Sequence, residues 1–172
     1  VMYGTKNMAK EPAMTREQAV QALEVGIHMV EELKEKGYGI VATGEMGIGN
    51  TTTSSAVAAV LLDEDPEIMT GRGAGLTNEG LKRKMDVIKT AIKKNRPDPA
   101  DAVDVLAKVG GFDLAGMAGV YLGGAIYRIP VVVDGFISAV AALAAVKMCS
   151  AARDALIVSH MSKEPGMQKV LN

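Results

Sequence analysis

Apolar positions near the start of the chain recur at the spacing of one helical face. Val20, Leu23 and Ile27 fall on the same side of a helix, with polar residues between them. The segment Thr15–Gln18 forms a capping box ahead of this stripe, which is typical of a helix N-terminus. The pattern therefore predicts a helix that ends near Gly37, since glycine is a natural C-terminal stop.

Three short runs are apolar throughout, without alternation: Tyr38–Thr43, Ile129–Val133 and Ala155–Val158. Strands that are buried on both faces of a parallel sheet have this character. Because helical segments separate the runs, right-handed crossovers are expected to connect the strands. The predicted fold class is α/β, a Rossmann-like three-layer arrangement of a parallel sheet with helices on both faces.

The segments between the strands carry helix signals. Thr77 caps a helix that runs to about Lys94, and Asp98 followed by Pro99 marks the start of another that ends near Val109. We predict the remaining helices at Thr51–Leu62, Asp113–Tyr127, Phe136–Met148 and from Pro165 onward, with a loop over Asp63–Leu76.

Each predicted strand is followed by polar residues or glycine. These exits are Gly44–Thr51, Asp134–Gly135 and Ser159–Ser162. In an open parallel sheet the ligand lies beyond the carboxyl ends of the strands. We therefore expect one binding site that is lined by all three exits.

The first exit continues into a glycine loop, Gly44–Thr53, that joins a strand to a helix. Glycine lets the backbone approach a ligand and adopt positive φ. The helix N-terminus adds unpaired N–H groups and the positive end of the helix dipole. The loop is predicted to cradle a phosphate, and the alternative is a turn that only joins the strand to the helix.

The spacing of this loop nearly matches the P-loop of ATP-binding proteins. Gly44 and Gly49 are spaced correctly, and Asp134 resembles the acidic residue that holds magnesium in such proteins. Asn50, however, occupies the position of the P-loop lysine that engages the β- and γ-phosphates, and Glu45 would repel a polyphosphate. The loop therefore favours a singly phosphorylated ligand, with an NTPase or nucleotide-regulated switch as the alternative.

Cationic residues follow in a second glycine segment, Thr70–Leu76, and in the run Lys82–Lys84. Arg72 or Lys84 is placed to reach an anion that the first loop holds. The alternative for the run is a solvated helix face. His160 follows a strand exit and is a further candidate for the site.

Composition narrows the function classes. The chain has 172 residues, with 19 Lys and Arg against 20 Asp and Glu, and this net charge of −1 disfavours nucleic-acid binding. The longest nearly charge-free stretch, Gly135–Val146, is too short to span a bilayer. One cysteine, Cys149, supports neither a disulfide framework nor a zinc cluster.

Aromatic residues make up only 3% of the chain, so we expect an aliphatic core. The glycines within Asp113–Tyr127 are expected to pack that helix closely against a neighbouring element.

Six ordered segments resemble the nicotinate-nucleotide:dimethylbenzimidazole phosphoribosyltransferase family. They are Gly4–Met8, Gly44–Thr52, Gly71–Gly75, Val109–Asp113, Val133–Phe136 and Ser159–Gly166. The resemblance runs over essentially the whole chain, in the family's order.

The resemblance implies a transferase of cobalamin assembly. The family moves the phosphoribosyl group of nicotinate mononucleotide onto 5,6-dimethylbenzimidazole, and the products are α-ribazole phosphate and nicotinate. It also implies a homodimer that needs no metal, and we expect no cofactor. The single cysteine fits a cytoplasmic location, since the cytoplasm is reducing. The family fold is a large α/β domain with a small helical domain built from both chain ends.

Substrate-binding residues are likewise implied by the resemblance. Gly47, Gly49 and the Asn50–Thr51 backbone resemble part of the nucleotide site, and Lys84 is similar to a phosphate-contacting lysine. Glu45, Asp134 and Ser162 resemble positions that contact the ribose or a ring. The full predicted set is Glu45, Met46, Gly47, Gly49, Asn50, Thr51, Arg72, Gly73, Gly75, Lys84, Asp134, Gly135, Ser159 and Ser162.

One feature of the family pattern is missing from the sequence. The family's catalytic base is a glutamate in a Gly-Glu-Gly-Thr-Gly-like segment near the C-terminus, and no such segment precedes Asn172. The chain opens on Val1, and Gln168–Asn172 resembles the middle of an amphipathic helix. We therefore expect residues 1–172 to be the nucleotide-binding core of a longer enzyme, without most of the small helical domain, and inactive alone. A non-catalytic nucleotide-binding module that acts through dimerisation remains as an alternative.

Overall fold

The computed structural model describes every residue from Val1 to Asn172. Helices dominate, and the strands are short. In chain order the elements are α1 (Arg16–Glu35), β1 (Val41–Thr43), α2 (Thr51–Leu62), α3 (Pro66–Met69), α4 (Asn78–Asn95), α5 (Ala102–Val109), α6 (Phe112–Tyr127), β2 (Val131–Val133), α7 (Gly135–Met148), a 3-10 helix (Ser150–Ala155), β3 (Leu156–Val158) and α8 (Met167–Leu171).

The three strands form one parallel sheet with β2 in the centre. Val41 is paired with Val131, and Val131 with Leu156. Each strand is three residues long, which is shorter than the apolar run that predicted it. The predicted α/β class with a parallel sheet is confirmed.

Helices α6 and α7 pack against the sheet face that carries Val131 and Val133. These two side chains are 0% and 1% exposed. The other face carries Ala42 and Ile157, which are both exposed. Within residues 1–172, helices therefore bury one face of the sheet, and the apolar character of the strands is explained for that face only.

Helices α1 and α6 are in direct backbone contact. A Cβ atom added at Gly26 of α1 would overlap the carbonyl oxygen of Gly116, and one added at Gly119 of α6 would overlap the carbonyl oxygen of Leu23. At Gly123 an added Cβ would also be tighter than an ordinary contact. These glycines produce the close packing that their spacing predicted.

The core is aliphatic, and Tyr121 of α6 is its one fully buried aromatic side chain. Its hydroxyl lies 2.5 Å from Thr43 Oγ1, which itself donates to the carbonyl oxygen of Val132 at 3.1 Å. Tyr121 is therefore the donor to Thr43. Burial raises the pKa of Tyr121 to about 12, so the phenol stays protonated and ties α6 to the exit of β1.

The start of α5 differs from the prediction. Its cap is Asp101, whose Oδ1 accepts hydrogen bonds from the amides of Val103 and Asp104. Asp98, which the sequence predicts as the cap, instead accepts a hydrogen bond from the amide of Ala100 in the preceding turn. Both aspartates are suitable N-cap residues. Because the Asp98 side chain is used in the preceding turn, Asp101 is the residue that caps α5.

Two other helix boundaries also differ. The predicted loop Asp63–Leu76 contains α3, which begins with Asp65 as its cap and proline in the first turn. Helix α8 begins at Met167 rather than at Pro165, because Ser162–Gly166 forms the pocket-side loop. No helix is both long and apolar enough to cross a membrane.

Candidate functional site

A cavity of about 270 Å³ lies at the carboxyl edge of the sheet. The exits of all three strands meet there, as the rule for parallel sheets predicts. The predicted site residues that line it are Glu45, Met46, Gly47, Thr51, Gly73, Asp134, Gly135 and Ser162.

Four lining residues were missed from the sequence: Ala74, Phe136, Ile137 and Glu164. Phe136 and Ile137 occupy the first turn of α7, so extending the strand-exit rule by one turn would have included them. Ala74 lies between two predicted glycines. Glu164 stands within a segment that carried the family resemblance, but no local pattern indicated that it turns back to the pocket.

The loop before α2 adopts the backbone conformations that its glycines permit. Gly47 and Gly49 have φ values of +81° and +88°, in the region that favours glycine. The amide of Gly47 donates to Glu45 Oε2 at 2.7 Å, which fixes this carboxylate at the pocket edge. The loop leads directly into α2, whose first amides have no intrahelical acceptor and lie at the positive end of the helix dipole, a position that suits an anion.

Lys84 of α4 is the buried cation of the site, and it is only 6% exposed. Its Nζ donates to Thr51 Oγ1 at 2.8 Å and to the carbonyl oxygen of Gly71 at 3.0 Å. Burial lowers the pKa of Lys84, whereas the negative charge of Glu164 raises it. Two of its three N–H donors are used by the protein, which leaves one donor unassigned, and ligand contact by Lys84 stays a prediction.

The second glycine segment folds over Thr51. A Cβ atom added at Gly73 would lie 2.7 Å from Thr51 Oγ1, so only glycine allows this close approach. Arg72 donates to the carbonyl oxygen of Leu76 at 2.8 Å and to Asn78 Oδ1 at 2.5 Å. The guanidinium of Arg72 therefore holds the loop in shape, and Gly75 (φ +103°) completes its turn away from the pocket.

Asn50 also turns away from the pocket. Its Nδ2 donates to Asp113 Oδ2 at 2.7 Å, and its Oδ1 is buried without a partner. Its backbone carbonyl accepts hydrogen bonds from Thr53 and Ser54 at 2.9 Å each. The side chain at the P-loop lysine position thus connects α2 to α6, and direct ligand contact by Asn50, Arg72, Gly49 or Gly75 stays a prediction.

An acid–imidazole pair links the exits of β2 and β3. His160 Nδ1 lies 3.3 Å from Asp134 Oδ1 and 2.9 Å from Ser159 Oγ. Because the Ser159 hydroxyl donates to the carbonyl oxygen of Val133 at 2.9 Å, His160 Nδ1 is the donor to Ser159. Ser159 therefore orients His160 at the sheet edge and does not line the cavity.

Two larger cavities lie away from the strand exits. One, of about 370 Å³, is at the opposite edge of the sheet beside Arg128 and Asp154. The other, of about 480 Å³, is a mostly apolar groove between α7, β3 and α8. Neither combines the buried cation, the glycine loops and the carboxylates that meet at the smaller cavity.

The smaller cavity has a donor side and an acceptor side. Lys84 does not itself line the cavity, because its ammonium lies behind the Thr51 hydroxyl. Thr51 and the first amides of α2 form the donor side, which suits a phosphate. The carboxylates of Glu45 and Asp134 form the acceptor side, which suits hydroxyl groups and a cationic ring. No cluster of three or more His, Cys, Asp or Glu side chains is arranged to hold a metal ion.

Comparison with known proteins gives concordant results. A family model described as Phosphoribosyltransferase matches residues 1–172. The nicotinate-nucleotide–dimethylbenzimidazole phosphoribosyltransferase of Acetivibrio thermocellus is 58% identical over 171 residues, which are 99% of this chain and 49% of that protein. The protein of the same name from Ruminiclostridium cellulolyticum is 56% identical over 171 residues, again 99% of this chain and 49% of that protein.

A solved structure agrees with the fold. The crystal structure of CobT from Thermus thermophilus matches with a TM-score of 0.91 at 41% identity, covering 97% of this chain and 50% of that one. The chain spans about half the length of the curated relatives that it matches.

Proposed function

Because the chain belongs to the family of the nicotinate-nucleotide–dimethylbenzimidazole phosphoribosyltransferases, we propose that its strand-exit pocket binds nicotinate mononucleotide. The protein that contains the chain then transfers the phosphoribosyl group to 5,6-dimethylbenzimidazole. The products are α-ribazole phosphate and nicotinate, and the reaction belongs to the assembly of the cobalamin nucleotide loop.

The observation that supports this proposal most strongly is the meeting of a wall of hydrogen-bond donors and a wall of carboxylates in one cavity. Nicotinate mononucleotide carries one phosphate, two ribose hydroxyls and a cationic pyridinium ring. Its phosphate fits beside Lys84 and the α2 amides. One charged lysine and the free N–H groups are enough to bind a single phosphate group. Its hydroxyls and ring fit the side formed by Glu45 and Asp134.

The transfer breaks one bond and forms another at C1′ of the ribose. The electron pair of the C1′–N bond goes to the pyridinium nitrogen, so nicotinate leaves without needing a proton. A benzimidazole nitrogen attacks C1′ from the opposite face, which inverts the configuration, and the second nitrogen of the ring then loses its proton. The carboxylates beside the ribose stabilise the positive charge that develops at C1′, and the loops over Thr51 position the donor.

The proposal assigns no proton-accepting base to residues 1–172. In the family pattern that base is the glutamate of the Gly-Glu-Gly-Thr-Gly-like segment, which these residues do not contain. The 172 residues alone are therefore expected to bind the donor weakly and not to turn over. A homodimer, which the family resemblance implies, and a cytoplasmic location, which fits the single cysteine, are further parts of the proposal.

The nucleotide-triphosphatase alternative has no comparable support. A P-loop needs a cation at position 50, and here Asn50 is hydrogen-bonded to Asp113. Glu45 also places a negative charge where the β- and γ-phosphates would lie. The pocket thus suits a monophosphate better than a triphosphate.

Calorimetric titration of the whole protein distinguishes the two ligand classes. We expect nicotinate mononucleotide to bind in the presence of EDTA, and ATP with magnesium not to bind. Nicotinate riboside, which lacks the phosphate, should bind about 100-fold more weakly, because it forgoes charge-assisted hydrogen bonds worth about 3 kcal/mol. Binding of magnesium-ATP without binding of nicotinate mononucleotide would contradict the proposal.

A further inference from the structure

The carboxylate of Glu164 lies against Gly71, the residue whose carbonyl oxygen accepts a hydrogen bond from Lys84. It forms no hydrogen bond with the lysine itself. Glu164 follows β3, and its Oε2 is buried and has no partner. A Cβ atom added at Gly71 would overlap this carboxylate and lie 2.8 Å from Pro165 Cδ, so the glycine makes room for the segment. The side chain thus lies directly over the residue whose carbonyl oxygen accepts from Lys84.

The surroundings of Lys84 are otherwise poor in negative charge. Its two hydrogen-bond acceptors, the Thr51 hydroxyl and the Gly71 carbonyl, are both neutral. Arg72 of the same loop is engaged with the carbonyl oxygen of Leu76 and with Asn78. Glu164 is the charged group that acts on Lys84, and it raises the lysine pKa against the lowering caused by burial.

An ammonium buried among neutral groups is expensive unless an opposite charge lies near it. We propose that Glu164 is a positioning residue of the phosphate subsite, whose partly buried carboxylate holds the charged Lys84 ammonium against the Thr51–Gly71 wall. This inference rests on the proposed function, because it names the group that keeps the phosphate-binding lysine ready. The free Oε2 lets Glu164 act through its charge while the third N–H of Lys84 stays open to the ligand.

The positioning role of Glu164 can be distinguished from two simpler roles, stabilisation of the loop and direct contact with the substrate. If Glu164 only stabilised the loop, its loss would lower the melting temperature without changing the titration of Lys84. If Glu164 touched the substrate itself, its loss would weaken binding whether or not Lys84 was present. The electrostatic effect of Glu164 on Lys84 is therefore what the experiment must measure.

The first measurement needs no ligand. In the whole protein labelled with 13C-lysine, the Lys84 Cε signal is assigned by its absence in Lys84→Met and titrated by NMR. We expect Glu164→Gln to lower the Lys84 midpoint by about one pH unit, the usual effect of an opposite charge at close range. The control Glu67→Gln removes an exposed carboxylate that pairs with Lys89 and should leave the midpoint unchanged.

The second measurement is the affinity for nicotinate mononucleotide across the same pH range. Because Lys84 then loses its positive charge at a lower pH, Glu164→Gln should lose affinity on the alkaline side about one pH unit earlier than the wild type. In a Lys84→Met background, Glu164→Gln should change the Kd by less than about twofold. Thermal melts confirm that each variant is folded at the temperature used.

The results separate this inference from the proposed function. An unchanged Lys84 midpoint in Glu164→Gln, or an equal loss of affinity in both backgrounds, would overturn the positioning role. Failure of the wild type to bind nicotinate mononucleotide would instead refute the proposed function, while the NMR titration would still decide whether Glu164 acts on Lys84.

Discussion

Replacing Lys84 by methionine is expected to weaken the binding of nicotinate mononucleotide by about 10- to 100-fold. The substitution removes the buried cation that lies behind Thr51 while keeping an unbranched side chain of similar length. A hydrogen bond to a charged group contributes about 1.5–3 kcal/mol, and each 1.4 kcal/mol corresponds to about a tenfold change in affinity. Calorimetric titration at neutral pH measures the effect directly.

Lys82→Met is the matched control, because Lys82 lies on the same helix but is exposed. Its Kd should stay within about twofold of the wild type. Loss of the Lys84 donor also leaves the Gly71 carbonyl without its partner, so thermal melts of both variants must show folded protein at the titration temperature. Equal affinities of the Lys82 and Lys84 variants would place the phosphate elsewhere.

Gly119→Ala is expected to destabilise the fold by about 3 kcal/mol, the upper end of ordinary overpacking. The added methyl group would overlap the carbonyl oxygen of Leu23 in α1, and backbone atoms of a packed helix cannot rotate out of the way. For a domain of this size, that change lowers the melting temperature by about 6–12 °C. Differential scanning calorimetry and urea unfolding both report it.

Gly116→Ala provides the control within the same helix. A Cβ atom there would meet only the carbonyl oxygen of Ala22, at an ordinary distance of 3.9 Å. Because alanine is a better helix former than glycine, this variant should be as stable as the wild type, or more stable by up to about 1 kcal/mol. If both variants melted alike, the backbone contact between α1 and α6 would not exist as described.

The position of the pocket was predictable because it depends on chain direction alone. Parallel strands bring their carboxyl ends to one edge, so Glu45, Asp134 and Ser162 had to converge once three strands had been recognised. The positive φ values at Gly47 and Gly49 were likewise predictable, since only glycine adopts them readily.

The directions of individual side chains were not predictable. Asn50 and Arg72 both lie in the predicted loops, but neighbouring backbone and side-chain acceptors draw them away from the cavity. The proximity of Glu164 to Lys84 joins segments that are distant in sequence, and it depends on how the loop after β3 returns across Gly71. Such long-range geometry leaves no periodic signal in the chain.

Helix boundaries show the same limit on a smaller scale. Asp98 and Asp101 are equally suitable caps by residue type, and their turn contacts decide between them. The prediction of Thr51–Leu62 succeeded because a glycine loop precedes it and an apolar run follows without competing signals.

Phosphoribosyl transfer from nicotinate mononucleotide, the proposed role of this pocket, has a direct test. The whole protein is incubated with nicotinate mononucleotide and 5,6-dimethylbenzimidazole, and the anomeric proton of the ribose is followed by NMR. We expect one equivalent of nicotinate for each α-ribazole phosphate formed, with inversion at C1′ and a higher KM in Lys84→Met. Release of nicotinate with ribose 5-phosphate alone, or no reaction at saturating concentrations of both substrates, would contradict it.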